Sequence, residues 1–228
     1  MKKTFLFLGV IALAFTLSAC TNGAQNTVNE SANFPTSENT SEENTSEELD
    51  IESGDYSVDA DASDVTWLGE RIVGNSHTGD IEVKSGNLII EENKIISGEF
   101  IIDMNTISDS DGSERLETHL KSEDFFAVDE YPESELVIND SSIISSNGND
   151  EVVLEVEADL TIKGITNPIN FTATVIDQDY SIVASSEFSI DRSKWDIKYD
   201  SGSFFQDLGD RAIKDEIYFD ISILANKE

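Results

Sequence analysis

Few side chains in this sequence are of types that do chemistry at short range. There are two histidines, His77 and His119, and a single cysteine, Cys20. Two imidazoles cannot complete a zinc site, and no His-x-x-x-His spacing or carboxylate cluster joins them along the sequence. His119 suits a structural hydrogen bond at the end of a helix better than a catalytic role. The run Asp109-Ser110-Asp111-Gly112-Ser113-Glu114 gathers oxygen ligands at a glycine turn, as a calcium loop would. It fails the EF-hand register, because with Gly112 at the sixth position Ile107 falls at the first and Thr118 at the twelfth. No Gly-x-Ser-x-Gly elbow is present to serve a hydrolase triad. Asp191-Arg192 and Asp210-Arg211 suit ion pairs or turn contacts, although either guanidinium has the fork to meet a pyrophosphate or quinone head group. The expectation is a protein with no catalytic residue, no metal and no cofactor. A lone cysteine also leaves no disulfide to staple the fold.

Cys20 has its own context. Lys2 and Lys3 form a positive start, and Phe5 to Leu17 form an apolar stretch too short to span a bilayer as a helix. Leu17-Ser18-Ala19-Cys20 closes that stretch and resembles the lipobox of bacterial lipoproteins. The resemblance implies a signal peptide over residues 1–19 and a diacylated Cys20 as the mature N-terminus. An exported, membrane-anchored lipoprotein of the cell envelope is therefore expected, periplasmic or at the cell surface. Each buried methylene of its acyl chains contributes about 0.8 kcal/mol to that anchorage. Residues 21–54 are rich in Ser, Thr, Asn and Glu and include the near-repeat Ser37-Glu38-Asn39-Thr40-Ser41-Glu42-Glu43. With nothing to bury, this segment reads as a disordered, charge-extended tether.

The formal net charge is −33, from 47 acidic and 14 basic residues. Losing Lys2 and Lys3 with the leader makes the remainder more acidic still. Nothing here could neutralise a phosphate backbone, so nucleic acid is excluded as a partner. Attraction to anionic lipid is excluded too, which leaves membrane association to the acyl chains. No protein partner is implied by the sequence.

From residue 55 to 228 the apolar residues alternate. Val152, Leu154, Val156, Ala158, Leu160 and Ile162 share one phase, with Glu155, Glu157 and Asp159 in the other. The same period marks 169–175, 182–190 and 217–223, and shorter candidates lie at 56–60, 65–73, 80–83, 87–91 and 95–104. Turn residues sit at Glu92-Asn93-Lys94, at 146–150 and at Lys163-Gly164. The pattern predicts eight or nine antiparallel strands, closed as a barrel that hides its edges, with a two-sheet sandwich as the alternative. One helix interrupts them over 113–126, capped by Ser113. Leu116, Leu120, Phe125 and Phe126 are expected to pack on the sheet as a single cluster, with Tyr131 and Pro132 returning the chain to the next strand.

The segment His119-Leu120-Lys121-Ser122-Glu123-Asp124-Phe125-Phe126, followed by Tyr131-Pro132, resembles the central signature of the YceI-like family. Tyr56-Ser57-Val58-Asp59 with Val65-Thr66-Trp67 resembles that family's opening strands. Ser97-Gly98-Glu99-Phe100, Leu160-Thr161-Ile162-Lys163-Gly164 and Phe188-Ser189-Ile190-Asp191-Arg192 resemble later ones. One departure is that His77 sits late in its segment, beside Gly79. The resemblance implies an all-β, extended antiparallel lipocalin-like barrel of about eight strands with one inserted helix. It also implies exported proteins that bind a polyisoprenoid within the barrel.

On that reading the interior is expected to hold a lipid through Val65, Trp67, Phe100, Ile102, Met104, Val156, Ala158, Leu160, Phe171, Ala173, Ala184, Phe188, Phe219 and Ile221. Ala158, Ala173 and Ala184 either leave room for a ligand or fit a tapering packed core. Phe204, Phe205 and Leu208 form either an apolar mouth or a plug. The expected function is non-enzymatic binding or carrying of an isoprenoid lipid, such as a polyprenyl phosphate or an isoprenoid quinone. A fully packed barrel serving as a structural or adhesive surface module is the rival from another class. An enzyme acting on an isoprenoid is a third, and it would need polar groups converging inside the barrel.

Overall fold

A computed structural model describes residues 51–146 and 151–228. The leader, Cys20, the tether as far as Asp50 and most of the 146–150 turn lie outside the described residues. The strands are β1 (Gly54–Val58), β2 (Asp64–Arg71), β3 (Ser76–Asp80), β4 (Glu82–Glu91), β5 (Lys94–Asp103), β6 (Glu133–Ser146), β7 (Glu151–Ile162), β8 (Ile165–Asp177), β9 (Ser181–Asp191) and β10 (Ile213–Lys227). One helix, α1 (Glu114–Lys121), lies between β5 and β6.

All pairings are antiparallel between sequence neighbours from β4 to β10, and β10 closes the ring by pairing with both β1 and β2. β1 and β2 act as one strand broken at the turn Ala60–Ala62, and β3 and β4 as one strand broken at Ile81. The ten segments therefore make an eight-stranded antiparallel barrel, with no sandwich. The alternation is physical: Val152, Leu154, Val156 and Ala158 are buried while Glu155 and Glu157 between them are exposed. Ser76-His77-Thr78-Gly79 carries no apolar alternation and so no strand signal, yet it pairs with β2. Lys84-Ser85-Gly86 also belongs to a strand, and it bulges against β5 between Val83 and Ser85.

The connections differ between the two ends of the barrel. One end carries tight turns, such as Glu92-Asn93, both with positive φ (49° and 64°) as a two-residue hairpin turn demands. Two residues assigned to the tether from sequence are fixed at that end. Ile51 is only 2% exposed, its N–H donates to Asn93 Oδ1 (2.6 Å), and the Glu52 N–H donates to Asp177 Oδ2 (3.0 Å). Among the described residues the packing includes Ile51, whose side chain is apolar enough to repay ordering the backbone around it.

The opposite end carries both long connections, 104–132 and 192–212. Helix α1 stops at Lys121, five residues short of the expected end. The Ser122 hydroxyl donates to the His119 carbonyl (2.7 Å), and the chain then coils through Phe125 and Phe126. Ser113 caps the start as its sequence position suggests, accepting from the Leu116 N–H at 3.4 Å. Leu120 and Phe125 are buried, and Leu116 and Phe126 pack against the same core.

Two features fix this end. The 108–110 segment lies on β3, with the Ser108 N–H on the Asp80 carbonyl (3.0 Å) and the Ser110 N–H on the Thr78 carbonyl (2.8 Å). Gly79 makes that approach possible, because a Cβ there would stand 1.7 Å from the Ser108 carbonyl oxygen. In the second connection Arg192 is 1% exposed. Its Nε donates to the Lys214 carbonyl (3.0 Å), Nη1 to that of Ile197 (3.0 Å) and Nη2 to that of Ile213 (3.3 Å). Burial pulls this guanidinium below its ordinary pKa, opposed by the charges of Asp215, Asp191 and Asp200. Trp195 closes over the same region, its Nε1 donating to the Leu160 carbonyl at 3.0 Å.

Gly79→Ala should therefore lower stability by about 1–3 kcal/mol in a denaturant titration. Gly69→Ala, whose new methyl only reaches ordinary contact 3.9 Å from Trp67, should change it much less. Arg192→Leu strands carbonyls inside the fold and should cost about 3 kcal/mol or more by the same measurement. A midpoint like that of the parent would show that Arg192 is not a pin.

Candidate functional site: an apolar cavity and a groove with both histidines

Side chains do not fill the barrel. A cavity of about 200 Å³ runs through its interior, larger than the roughly 150 Å³ apolar cavities that stay dry and admit benzene. Val65 and Trp67 from β2, Phe100 and Ile102 from β5, and Met104 just after it line the cavity. Val156, Leu160, Phe171, Ala173, Ala184, Phe188, Phe219 and Ile221 complete the wall from β7 to β10. Of the interior positions expected from sequence, only Ala158 is elsewhere; it is buried but packed behind the lining. Ala173 and Ala184 border open space. Leu120, Phe125 and Phe126 reach the cavity from the α1 connection, a contribution that strand periodicity could not reveal.

Phe204 and Phe205 are neither mouth nor plug. They are about half exposed (49% and 51%) and do not line the cavity. Their N–H groups turn back onto the Ser201 carbonyl (3.2 and 3.0 Å), which points the turn outward. The Phe204 ring instead lies under Lys198, whose Nζ is 4.9 Å from its centroid.

The wall is least continuous between β8 and β9. Their ladder runs only from Thr174↔Ser185 to Asp177↔Ile182, although both strands extend well beyond it. Past that point the Ser186 hydroxyl donates to the Thr172 carbonyl (2.7 Å), and Phe171 and Phe188 stack at 4.8 Å. Phe188 in turn leans on Phe219 at 5.5 Å. Aromatic faces here replace backbone hydrogen bonds as the wall.

Beside the cavity, at the end with the long connections, lies a polar groove. Glu70, Arg71, Asn75 and His77 form one side, Ser113, Arg115 and His119 another, and Tyr199 a third. Gly69, Phe125 and Ile213 line both spaces and so form the partition between them. His119 packs edge-on against Phe125 (5.0 Å) and Tyr199 (4.6 Å), and its Nε2 is 3.0 Å from Asp124 Oδ2. That is the structural role expected of His119, at the hinge of the partition. Glu70 is paired with Lys214 at 2.7 Å. Arg71, Arg115 and both imidazoles of the chain are thus gathered in one groove of a strongly acidic protein. Arg192 lines the cavity, but carbonyls occupy its donors. Arg211 is exposed, and its carbonyl accepts from Arg71 Nη1 of the groove at 3.4 Å.

No helix among the described residues is long and apolar enough to cross a membrane.

Comparison with known proteins agrees with this architecture. A UPF0312 protein of Pseudomonas putida is 27% identical over 124 residues, 54% of this chain. The match spans 62% of that relative's length. A UPF0312 protein of Shewanella denitrificans is 28% identical over 167 residues, covering 67% of this chain and 81% of the relative. Among solved structures, Burkholderia cenocepacia BcnA superposes with a TM-score of 0.60 at 20% identity, over 74% of this chain and 99% of that one. A polyisoprenoid binding domain from Saccharophagus degradans superposes with a TM-score of 0.60 at 14% identity, over 76% and 98%. At these identities the likeness shows the fold alone. The family profile goes further, for the YceI-like domain matches residues 56–225, from β1 to the end of β10, and the chain belongs to the YceI-like family.

Proposed function

We propose that this protein binds or carries an isoprenoid lipid, its tail in the barrel cavity and its polar head in the adjoining groove, without catalysing a reaction on it. The observation that carries the proposal is the apolar cavity that shares the Phe125 partition with a groove bearing Arg71 and Arg115. Each prenyl methylene moved out of water contributes about 0.8 kcal/mol, so several isoprene units bind tightly without one polar contact. Arg71 and Arg115, with His77 and His119 beside them, offer donors to a phosphate or a quinone oxygen. Two further supports are the family membership and the polyisoprenoid binding described for the S. degradans domain. The lining offers no convergent set of acid, base and nucleophile, which favours carriage over chemistry. In this reading Cys20 is the lipid anchor, and the acidic segment behind it holds the barrel clear of the membrane.

Organic extraction of the purified full chain, followed by mass spectrometry, should yield a prenyl-chain lipid. An empty barrel that also fails to take up polyprenol or quinone would overturn the reading. Ala184→Phe, which fills the cavity, should weaken uptake at least about tenfold while the protein still melts cooperatively. Phe125→Ala should cost about 3–5 kcal/mol of stability in the empty protein, and Phe204→Ala should alter neither stability nor uptake. For the anchor, Cys20→Ser should move the protein from the membrane to the soluble fraction and abolish its labelling by radioactive palmitate. Unchanged membrane retention in that variant would refute anchorage through Cys20.

A further inference from the structure

The 108–113 segment brings together groups that lie far apart in sequence. Asp109 has a side chain only 1% exposed, and its Oδ1 faces His77 Nδ1 at 3.5 Å. Both atoms are buried and neither has a hydrogen-bond partner among the described residues. At 3.5 Å the two are too far apart for a good hydrogen bond. If Nδ1 carries no proton, two lone pairs face each other with nothing between them. A carboxylate of Asp111 joins them, so that one ligand atom from each of His77, Asp109 and Asp111 lies within 4.8 Å of the others.

The geometry points to a binding site for a borderline divalent transition-metal ion, typified by zinc, held by His77 Nδ1 and the carboxylates of Asp109 and Asp111. A tetrahedral ion with bonds of about 2.0–2.1 Å separates its ligand atoms by about 3.3–3.4 Å, close to the His77–Asp109 spacing. An imidazole ligand selects against calcium and magnesium, which take oxygen donors. Three protein ligands leave a coordination position for water.

The surroundings hold the ligands in place. Asp109 Oδ2 accepts from the Ser113 N–H (3.1 Å), which aims Oδ1 at His77. The Asp109 N–H donates to Glu117 Oε1 (3.1 Å), and the Gly112 N–H donates to the Asp109 carbonyl (2.8 Å). The Ser110 N–H on the Thr78 carbonyl fixes the loop to β3 one residue from His77. A bound ion would tie the start of the α1 connection to β3 on the flank of the groove. The site stands on its own ligands and does not depend on the lipid reading.

Zinc binding to the full chain is best read by competition with a chromogenic chelator in a Cys20→Ser background, where no thiol contributes. One zinc per chain should bind far more tightly than the many surface carboxylates hold it. His77→Gln and Asp111→Asn should each weaken that equivalent at least about tenfold, whereas Asp220→Asn should leave it unchanged. Zinc should raise the melting temperature of the parent but not of His77→Gln. Cobalt loading should shift the His77 imidazole resonances paramagnetically far more than those of His119, which tests the site without any ligand variant. Absence of a tight equivalent, its survival in both variants, equal displacement by calcium, or equal shifts at the two histidines would each overturn the assignment.

Discussion

A ring of eight strands has to do something with its middle, and this constraint governs the rest of the molecule. Closure returns the last strand to the first, but it fixes the radius before the side chains are chosen. Here β8 and β9 contribute Ala173 and Ala184 where larger residues would have met across the lumen, and a void of about 200 Å³ remains. Water gains nothing there, because the lining gives it almost no partner. An apolar void costs about 24 cal/mol per Å³, which makes several kcal/mol for a cavity of this size. A barrel that carries such a cost is stabilised by any apolar chain that fits it, and stability and affinity then have one origin.

The two ends answer that constraint differently. At the tight end Ile51 packs into the core, and the N–H groups of Ile51 and Glu52 donate to Asn93 and Asp177. At the other end two long connections meet, and each is pinned by a different device. The α1 connection lies on β3 because Gly79 has no side chain to hold it off. The 192–212 connection is gathered around the Arg192 guanidinium, a polar group buried with its donors matched to carbonyls. These pins place Phe125, His119 and Tyr199 in contact, so that a wall of rings separates the apolar lumen from the polar groove. Thinning of the ladder between β8 and β9 leaves a second stretch of wall to aromatic contact, beginning where Phe171 stacks on Phe188.

Much of this was legible in the sequence for a simple reason. A strand with one wet face writes its orientation at every second residue, so β7, β8 and β10 could be phased, and their inward residues named, from alternation alone. Of the interior positions named from alternation only Ala158 is absent from the cavity lining, but the lining also draws on Ile81, Val83, Leu88, Ile107 and Ile217, which alternation did not single out. Where alternation fails, so did the reading. β3 is polar on both faces because it bears the 108–110 segment on one side, and nothing in Ser76-His77-Thr78-Gly79-Asp80 announces a strand. Phe204 and Phe205 are apolar in type, yet a turn onto the Ser201 carbonyl directs them outward. The groove was harder still. Its residues come from β2, β3, α1 and the 192–212 connection, and the His77–Asp109 contact exists only because those distant segments pair through backbone hydrogen bonds. Local spacing carries no record of such a meeting.

Charge sets the terms on which any ligand reaches this fold. With 47 acidic against 14 basic residues, the field around the protein repels anionic lipid surfaces and offers no long-range steering toward them. Screening shortens that repulsion to about 8 Å at physiological ionic strength. Within that range only local chemistry counts. Arg71 and Arg115 then bring two positive side chains into one groove of an acidic body, beside Glu70. An apolar tail has no stake in the field, and it enters wherever the wall yields. In the proposed lipid reading the polar head meets the two arginines of that groove. In that reading an acidic surface around a groove with two arginines orients an amphiphile head-first toward it.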